Sequence, residues 1–168
     1  QMAVAYATIG NGGDVVRPHV GKEVEDPNGS VVQEIDPAPI RHLDINPSYR
    51  SAIMQGIHEA AQSPGGTSYS VFGNFPVPMA GKTGTAQRTG QADQSWYVCM
   101  APYPNPKIVV AATIEQGGFG VQAAAPVARQ VLTAYYDEHP AEAKKAGGKP
   151  PKQTPLSTSY STSSGNPY

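Results

Sequence analysis

Lys82, Thr83, Gly84 and Thr85 stand in a row, and their types suit the gripping of an anion. The lysine brings a cation with three donors, and the threonines bring hydroxyls that donate or accept, a set fitted to a carboxylate. Phe75-Pro76-Val77-Pro78 precedes the segment and Arg88-Thr89-Gly90 follows it, so Val77 to Gln87 reads as a strand with bounded ends. Alternation puts Lys82 and Gly84 on one face and Gly81, Thr83 and Thr85 on the other. The glycines carry no side chain and admit another backbone at close range. An extended acyl-peptide could lie along such an edge, held by main-chain hydrogen bonds. Taken alone, the four residues equally suit a strand whose Gly and Thr only pack and whose Lys is solvated.

The elements that must hold this strand are legible around it. Two more strands are expected, Ser95 to Tyr103 and Lys107 to Gln116, joined by the proline-broken connection Pro102, Pro104, Pro106. Short connections make the three antiparallel neighbours in a meander, with the Lys82 strand open on its other side. The nearly unbroken apolar run Ile108 to Ile114 predicts a central strand covered on both faces. Gln1 to Ile9 reads as a helix stopped by Gly10, Gly12 and Gly13. It opens without a start signal, so an upstream part is expected. Val20 to Glu25 and Val31 to Ile35 flank a Pro-Asn-Gly turn and predict a half-exposed hairpin. Asn46-Pro47 caps and opens a second helix with Tyr49, Ile53, Ile57, Ala60 and Ala61 as its buried stripe, and His58-Glu59 on a solvated face. Thr67 to Phe72 predicts a further turn or two of helix capped by Thr67 or Ser68. A last helix from about Ala123 to Tyr136 turns Val127, Val131, Leu132 and Tyr135 to the sheet. Gly118 and Gly120 before it match a dinucleotide-binding fingerprint in letters, but that motif needs a parallel βαβ unit, and a turn that folds the last helix back is the plainer reading. From residue 139 the composition turns to Ala, Lys, Gly and Pro and then to Ser, Thr, Pro and Tyr, so 139–168 is expected as a low-complexity, disordered tail after a domain over 1–138.

Composition excludes several classes. Formal net charge is −1, so nothing favours nucleic acid as a partner. Cys99 is the sole cysteine and lacks companions for a zinc site or an internal disulfide; among apolar neighbours it reads as a buried small hydrophobe. His19 and His42 have no partner at ligand spacing, so neither a metal nor a cofactor is expected. No run of about 20 apolar residues is present.

Met79-Ala80-Gly81-Lys82-Thr83-Gly84-Thr85 resembles the third active-site motif of the penicillin-binding proteins, serine D,D-transpeptidases related to serine β-lactamases. Gln1-Met-Ala-x-Ala-Tyr-Ala-x-Ile-x-Asn-Gly-Gly13 is similar to the helix that follows the second motif in the class B, elongation-type enzymes, and the Gly-rich loop and last helix match the end of that domain. The resemblance implies an α+β fold, an antiparallel sheet flanked by helices, of which this chain is the C-terminal portion. It implies catalytic roles for Lys82 and Thr85: Lys82 sets positive potential and supports proton transfer, and the Thr85 N–H is one of two oxyanion donors. It implies substrate-binding roles for Lys82, Thr83, Gly84 and Thr85, with the two hydroxyls on the terminal carboxylate of a D-Ala-D-Ala stem peptide or of a β-lactam, and Gly84 leaving room for the substrate backbone. It also implies a membrane glycosyltransferase partner and a place on the extracytoplasmic face of the cell membrane. No serine here is followed by lysine three residues on, so the nucleophile is expected upstream, and the chain alone should not acylate. Ser164-Gly165-Asn166 matches the remaining motif in letters but falls on the wrong side of Lys82, and reads as chance. The alternatives are a β-lactam sensor or hydrolase on the same scaffold, and a non-catalytic binding module built on the Gly-rich loop.

Overall fold

Helix α1 (Met2–Asn11) ends where Gly12 takes a left-handed φ of 94° and Gly13 donates back to the Thr8 carbonyl at 2.8 Å. The computed structural model describes residues 1–152. Gly10, expected in the stop signal, instead lies inside α1. A Cβ there would stand 2.8 Å from Pro106 Cγ, so its bareness lets the helix settle on the turn between the last two strands. Arg50 donates from Nε and Nη2 to the Ile9 and Gly10 carbonyls at 2.7 and 2.5 Å, satisfying acceptors that the helix end leaves free.

Two small ribbons follow α1. Strands β1 (Asp14–Val15) and β4 (Arg41–His42) pair antiparallel, and between them β2 (Glu23–Glu25) pairs with β3 (Val31–Glu34). Asp26 Oδ1 closes the hairpin turn by accepting from the Asn28 and Ser30 amides at 2.8 and 2.9 Å. The hairpin is more exposed than expected, with every residue of β3 in solvent. His42 is not isolated. Its Nδ1 meets Asp14 Oδ1 at 2.7 Å across the β1–β4 pair, and that bond raises the imidazole above its ordinary value.

Asn46 caps α2 (Pro47–Gln62) by accepting from the Ser48 amide at 2.9 Å. The buried stripe of α2 departs from expectation. Met54 and Ala61 are buried, while Tyr49 and Ile53 are 70% and 44% exposed. The inward face also carries Arg50, His58 and Gln62, polar side chains that pair with backbone and that a count of apolar residues cannot find. In α3 (Tyr69–Phe72) Ser68 occupies the N-cap position, yet its hydroxyl turns instead to Tyr97 Oη at 2.9 Å.

Strands β5 (Ala80–Ala86), β6 (Gln94–Ala101) and β7 (Ile108–Ile114) form the expected antiparallel meander in the order β5-β6-β7. The central strand is β6, whose residues from Tyr97 to Ala101 are all buried, and not β7 as its apolar run implied. On β7, Val110 and Ala112 are buried on the α4 face while Ala111 and Thr113 face out; the opposite face is covered only near the strand's start, where Val109 packs against the Met54, Ala80 and Met100 cluster. One face of the sheet packs on α4 (Ala124–Glu138), which buries Ala124, Ala125, Ala128, Leu132 and Tyr136. Val127 and Val131, expected to face the sheet, lie outward; the alanines set the buried stripe because small side chains let the helix come close. The other face carries α1 and α2 over Met54, Ala80 and Met100. The result is an α+β sandwich of helix, sheet and helix.

The expected tail begins instead with packed chain. Helix α5 (Pro140–Lys145) buries Ala143, and beyond it Lys149 donates to the Pro76 carbonyl at 3.2 Å and Pro151 is buried. Ordered packing therefore runs past the expected boundary at residue 138. Residues 153–168, including Ser164-Gly165-Asn166, lie outside the described residues.

Candidate active-site edge

Strand β5 pairs on one side only, with Lys82 opposite Val98, Thr83 opposite Tyr97, Gly84 opposite Trp96 and Thr85 opposite Ser95. Ala80 packs with Met54 and Met100, which fixes the even-numbered positions on the α2 face. Gly81 looks the other way: a Cβ there would meet Tyr97 Oη at 2.4 Å and Cys99 Cβ at 2.9 Å, so only glycine fits over that buried phenol. Lys82 and Gly84 thus share the α2 face, and Gly81, Thr83 and Thr85 the α4 face, as the alternation predicts.

The main chain has its own two sides. The Pro78 carbonyl accepts from Tyr103 N at 2.7 Å, toward β6 and the turn that follows it. Backbone polar groups alternate in direction along an antiparallel strand, so those of Met79, Gly81, Thr83 and Thr85 point to the outer edge. Met79 is met there by α2: its N–H donates to Gln62 Oε1 at 2.8 Å, and His58 Nδ1 donates to its carbonyl at 2.7 Å. After Met79 no further strand follows on that side among the described residues, and the edge lies open past Lys82. The ammonium of Lys82 turns along this edge, donating to the Thr83 carbonyl and to Thr83 Oγ1, both at 3.1 Å. The structure so brings together Lys82 and Thr83, both on the open rim with Thr85, which is exposed at the rim's end.

The main chain of Gly84 receives the glycine-rich loop. A Cβ on Gly120 would lie 2.3 Å from the Trp96 carbonyl oxygen, 2.8 Å from that of Gly84 and 3.0 Å from the Gly84 nitrogen. The glycine-rich loop after β7 is therefore laid directly on β5 and β6. Ser95 pins it there, donating to the Phe119 carbonyl at 3.1 Å and accepting from Ala124 N at 3.1 Å, while Gly118 N donates to the Asp93 carbonyl at 2.9 Å. The sheet is wholly antiparallel, so the dinucleotide reading of this loop has no βαβ unit to rest on.

The chemistry this edge can do is binding and charge stabilisation. A cation, two hydroxyls and outward amides suit a carboxylate and a developing oxyanion. Ser68 and Ser95 are fully buried and engaged, so neither offers a nucleophile. The Cys99 thiol is buried and pushed up to about 12 by loss of solvent, which makes it inert. No cluster of metal-ligating side chains occurs among the described residues. A cleft of about 750 Å³ between α3 and α4 touches none of residues 82–85.

Sequence reasoning passed over Gln62 and Ser95, read Gly120 only as part of a turn, and put His58 on a solvated face, whereas it bonds to the Met79 carbonyl and stacks on Tyr103. Their partners are mostly main-chain atoms, which leave no mark in a sequence. The spacing of His58 and Gln62, one helical turn apart, was the only signal that pair offered.

Comparison with known proteins decides the family. Residues 1–133 match the penicillin binding protein transpeptidase domain. The chain belongs to that transpeptidase family. It is 31% identical over 163 residues to the peptidoglycan D,D-transpeptidase MrdA of Haemophilus influenzae, an alignment covering 86% of this chain and 24% of that protein. Among solved structures it is similar to Pseudomonas aeruginosa PBP2 in complex with WCK 5153, with a TM-score of 0.65, 32% identity, and 77% of this chain and 28% of that one covered. It is also similar to penicillin-binding protein A of Mycobacterium tuberculosis in its imipenem acyl-enzyme complex, with a TM-score of 0.66, 28% identity, and 79% and 29% covered. The chain thus spans about a quarter of the length of the curated relatives it matches. The α+β architecture is that of the penicillin-binding transpeptidase domains.

Proposed function

We propose that this chain is the C-terminal portion of a peptidoglycan D,D-transpeptidase that cross-links stem peptides through an acyl-enzyme and is acylated by β-lactams. The observation that carries the reading is the open outer edge of β5, where Lys82 lies against Thr83 and the Thr83 and Thr85 main chain points away from β6. A stem peptide ending in D-Ala-D-Ala lies along this rim. The Thr83 and Thr85 hydroxyls hold its terminal carboxylate, Lys82 supplies positive potential and supports proton transfer, and Gly84 admits the substrate backbone. The Thr85 N–H supplies one oxyanion donor. Such a donor acts on charge that develops only in the transition state, and its removal costs about 2.7–4 kcal/mol elsewhere. The nucleophilic serine, its lysine and the Ser-x-Asn element come from upstream sequence of the same protein. The named activity of the Haemophilus relative and the imipenem acyl-enzyme of the Mycobacterium neighbour support this reading. The enzyme works at the extracytoplasmic face of the cell membrane beside a membrane glycosyltransferase.

The test is labelling of the full-length protein by a fluorescent penicillin. Wild type is expected to label and to release the acyl group slowly, whereas rapid release would favour a hydrolase. Lys82→Ala is expected to lower the acylation rate constant by about 100-fold or more with an unchanged melting temperature. Unaltered acylation in that variant would remove Lys82 from the site.

A further inference from the structure

The segment between α3 and β5 has no regular secondary structure, yet it must deliver Lys82 and Thr85 in register. Its main-chain groups are collected by one side chain. Gln62 Nε2 faces the carbonyls of Phe72, Phe75 and Val77 at 3.3, 3.1 and 3.4 Å, while its Oε1 takes the Met79 amide at 2.8 Å. The orientation of the amide is dictated, because the three carbonyls can only accept and the Met79 N–H can only donate.

One turn earlier on α2, His58 completes the set. The Met79 carbonyl can only accept, so His58 Nδ1 carries the proton in their 2.7 Å bond. The ring is held in that orientation by stacking on Tyr103 at 4.1 Å with 3° between planes, and Tyr103 N in turn donates to the Pro78 carbonyl. Both polar groups of Met79 are therefore held by α2, where a neighbouring strand would otherwise pair with them. This is the last outward-facing residue before the open edge, so the clamp sets where that edge begins.

We propose that His58 and Gln62 are positioning residues for the β5 rim, holding the Met79 main chain so that Lys82 and the Thr85 amide stand where acylation needs them. The inference rests on the transpeptidase reading for its kinetic consequence, and on the geometry alone for its structural one. Both side chains bond to main-chain atoms of residues 72–79 and not to residues 82–85. Small displacements of positioned groups are costly in rate, and a clamp at Met79, on the same strand run three residues before Lys82, can cause them.

The experiment uses the full-length protein with His58→Ala, His58→Asn and Gln62→Met. Asparagine places an N–H donor near the position of Nδ1 but cannot stack like imidazole. His58→Ala is expected to lower the limiting acylation rate by about tenfold while leaving the β-lactam dissociation constant within about twofold. His58→Asn is expected to recover most of the loss. Native-state hydrogen exchange is expected to quicken in His58→Ala at Lys82 and Gly84, whose amides face β6, and not in β7. Wild-type acylation in His58→Ala, or no recovery with asparagine, overturns the proposal. Gln62→Met is expected to slow acylation as His58→Ala does, and a folded Gln62→Met protein with wild-type acylation overturns the part given to Gln62; if it fails to fold, the histidine pair decides. If wild type takes no penicillin label, the transpeptidase reading falls, and the exchange comparison still decides the clamp: unchanged exchange at Lys82 and Gly84 sinks it.

Discussion

On the α4 face of the sheet, Phe72, Tyr97, Leu132 and Tyr136 are fully buried, and Phe72 stacks on Tyr97 with centroids 5.1 Å apart. On the α2 face the closed cluster is Met54, Ala80 and Met100, and beside it the structure relies on polar ties: Arg50 to the end of α1, Gln62 and His58 to the chain entering β5. One strand serves both faces. Gly81 presses on Tyr97 in the dense layer, and the next residue, Lys82, extends into solvent from the sparse one. The difference separates two tasks. Dispersion and apolar burial dominate on the α4 side of the sheet, with the bonds of Ser68 to Tyr97 and of Ser95 to the glycine-rich loop and α4 added to them. Hydrogen bonds, which do have direction, aim its rim from the other.

The comparison breaks most visibly if stability and acylation fail to separate. Leu132→Ala removes a fully buried side chain from the α4 layer. It is expected to cost about 2–5 kcal/mol in urea unfolding of the full-length protein, by lost transfer energy and an unfilled cavity. Its folded fraction should still acylate at nearly the wild-type rate. Lys82→Ala should do the reverse. A Leu132→Ala protein that folds fully but acylates as slowly as Lys82→Ala would show that the dense layer also aims the rim.

Gly120 tests the place where the layers are pinned together. A methyl group there would overlap the Trp96 carbonyl and the Gly84 main chain, neither of which is a flexible side-chain end. Gly120→Ala is expected to cost about 1–3 kcal/mol by forcing the loop off the sheet. It should also loosen the bonds of Ser95 to the Phe119 carbonyl and the Ala124 amide. Thermal melts read the first effect and hydrogen exchange at Ala124 reads the second. A Gly120→Ala variant as stable as wild type would mean the loop has slack that this close approach does not suggest.

The strand that carries Lys82 and the meander behind it were legible in the sequence. The run Gly81 to Thr85 announced an edge strand because its residue types are poor at filling a core and good at binding. The meander was readable because prolines at 102, 104 and 106 leave no room for a crossover between β6 and β7. The errors share one cause. Ile53, Val127 and Val131 were placed inside by hydrophobicity, but what a helix buries depends on what it meets, and here alanines and backbone-bonding polar residues won. The apolar run of β7 misled in the same way, since Ala111 and Thr113 are small enough to stand in solvent at little cost. Nothing in the letters Ala-Glu-Ala-Lys-Lys revealed that α5 would bury Ala143 against the main core.

The smallest effect concerns an exception inside the dense layer. Tyr136 is fully buried, and its hydroxyl finds no hydrogen-bond partner among the described residues. Burial raises its pKa, so the phenol stays neutral, but a neutral hydroxyl still gives up water without return. Its neighbour Tyr135, packed edge-on at 5.1 Å, does have a partner in Glu142 at 2.8 Å. Replacing Tyr136 by phenylalanine keeps the ring and its packing and removes only the orphan oxygen. The expected result is a stability unchanged or raised by about 1 kcal/mol, since losing an unsatisfied polar group removes a desolvation penalty. Tyr135→Phe should instead lower stability slightly, because it breaks a bond that is made. Paired denaturation curves distinguish the two. If Tyr136→Phe destabilises, the hydroxyl is satisfied after all, and Tyr136 joins Ser68 and Ser95 among the directed ties of the α4 layer.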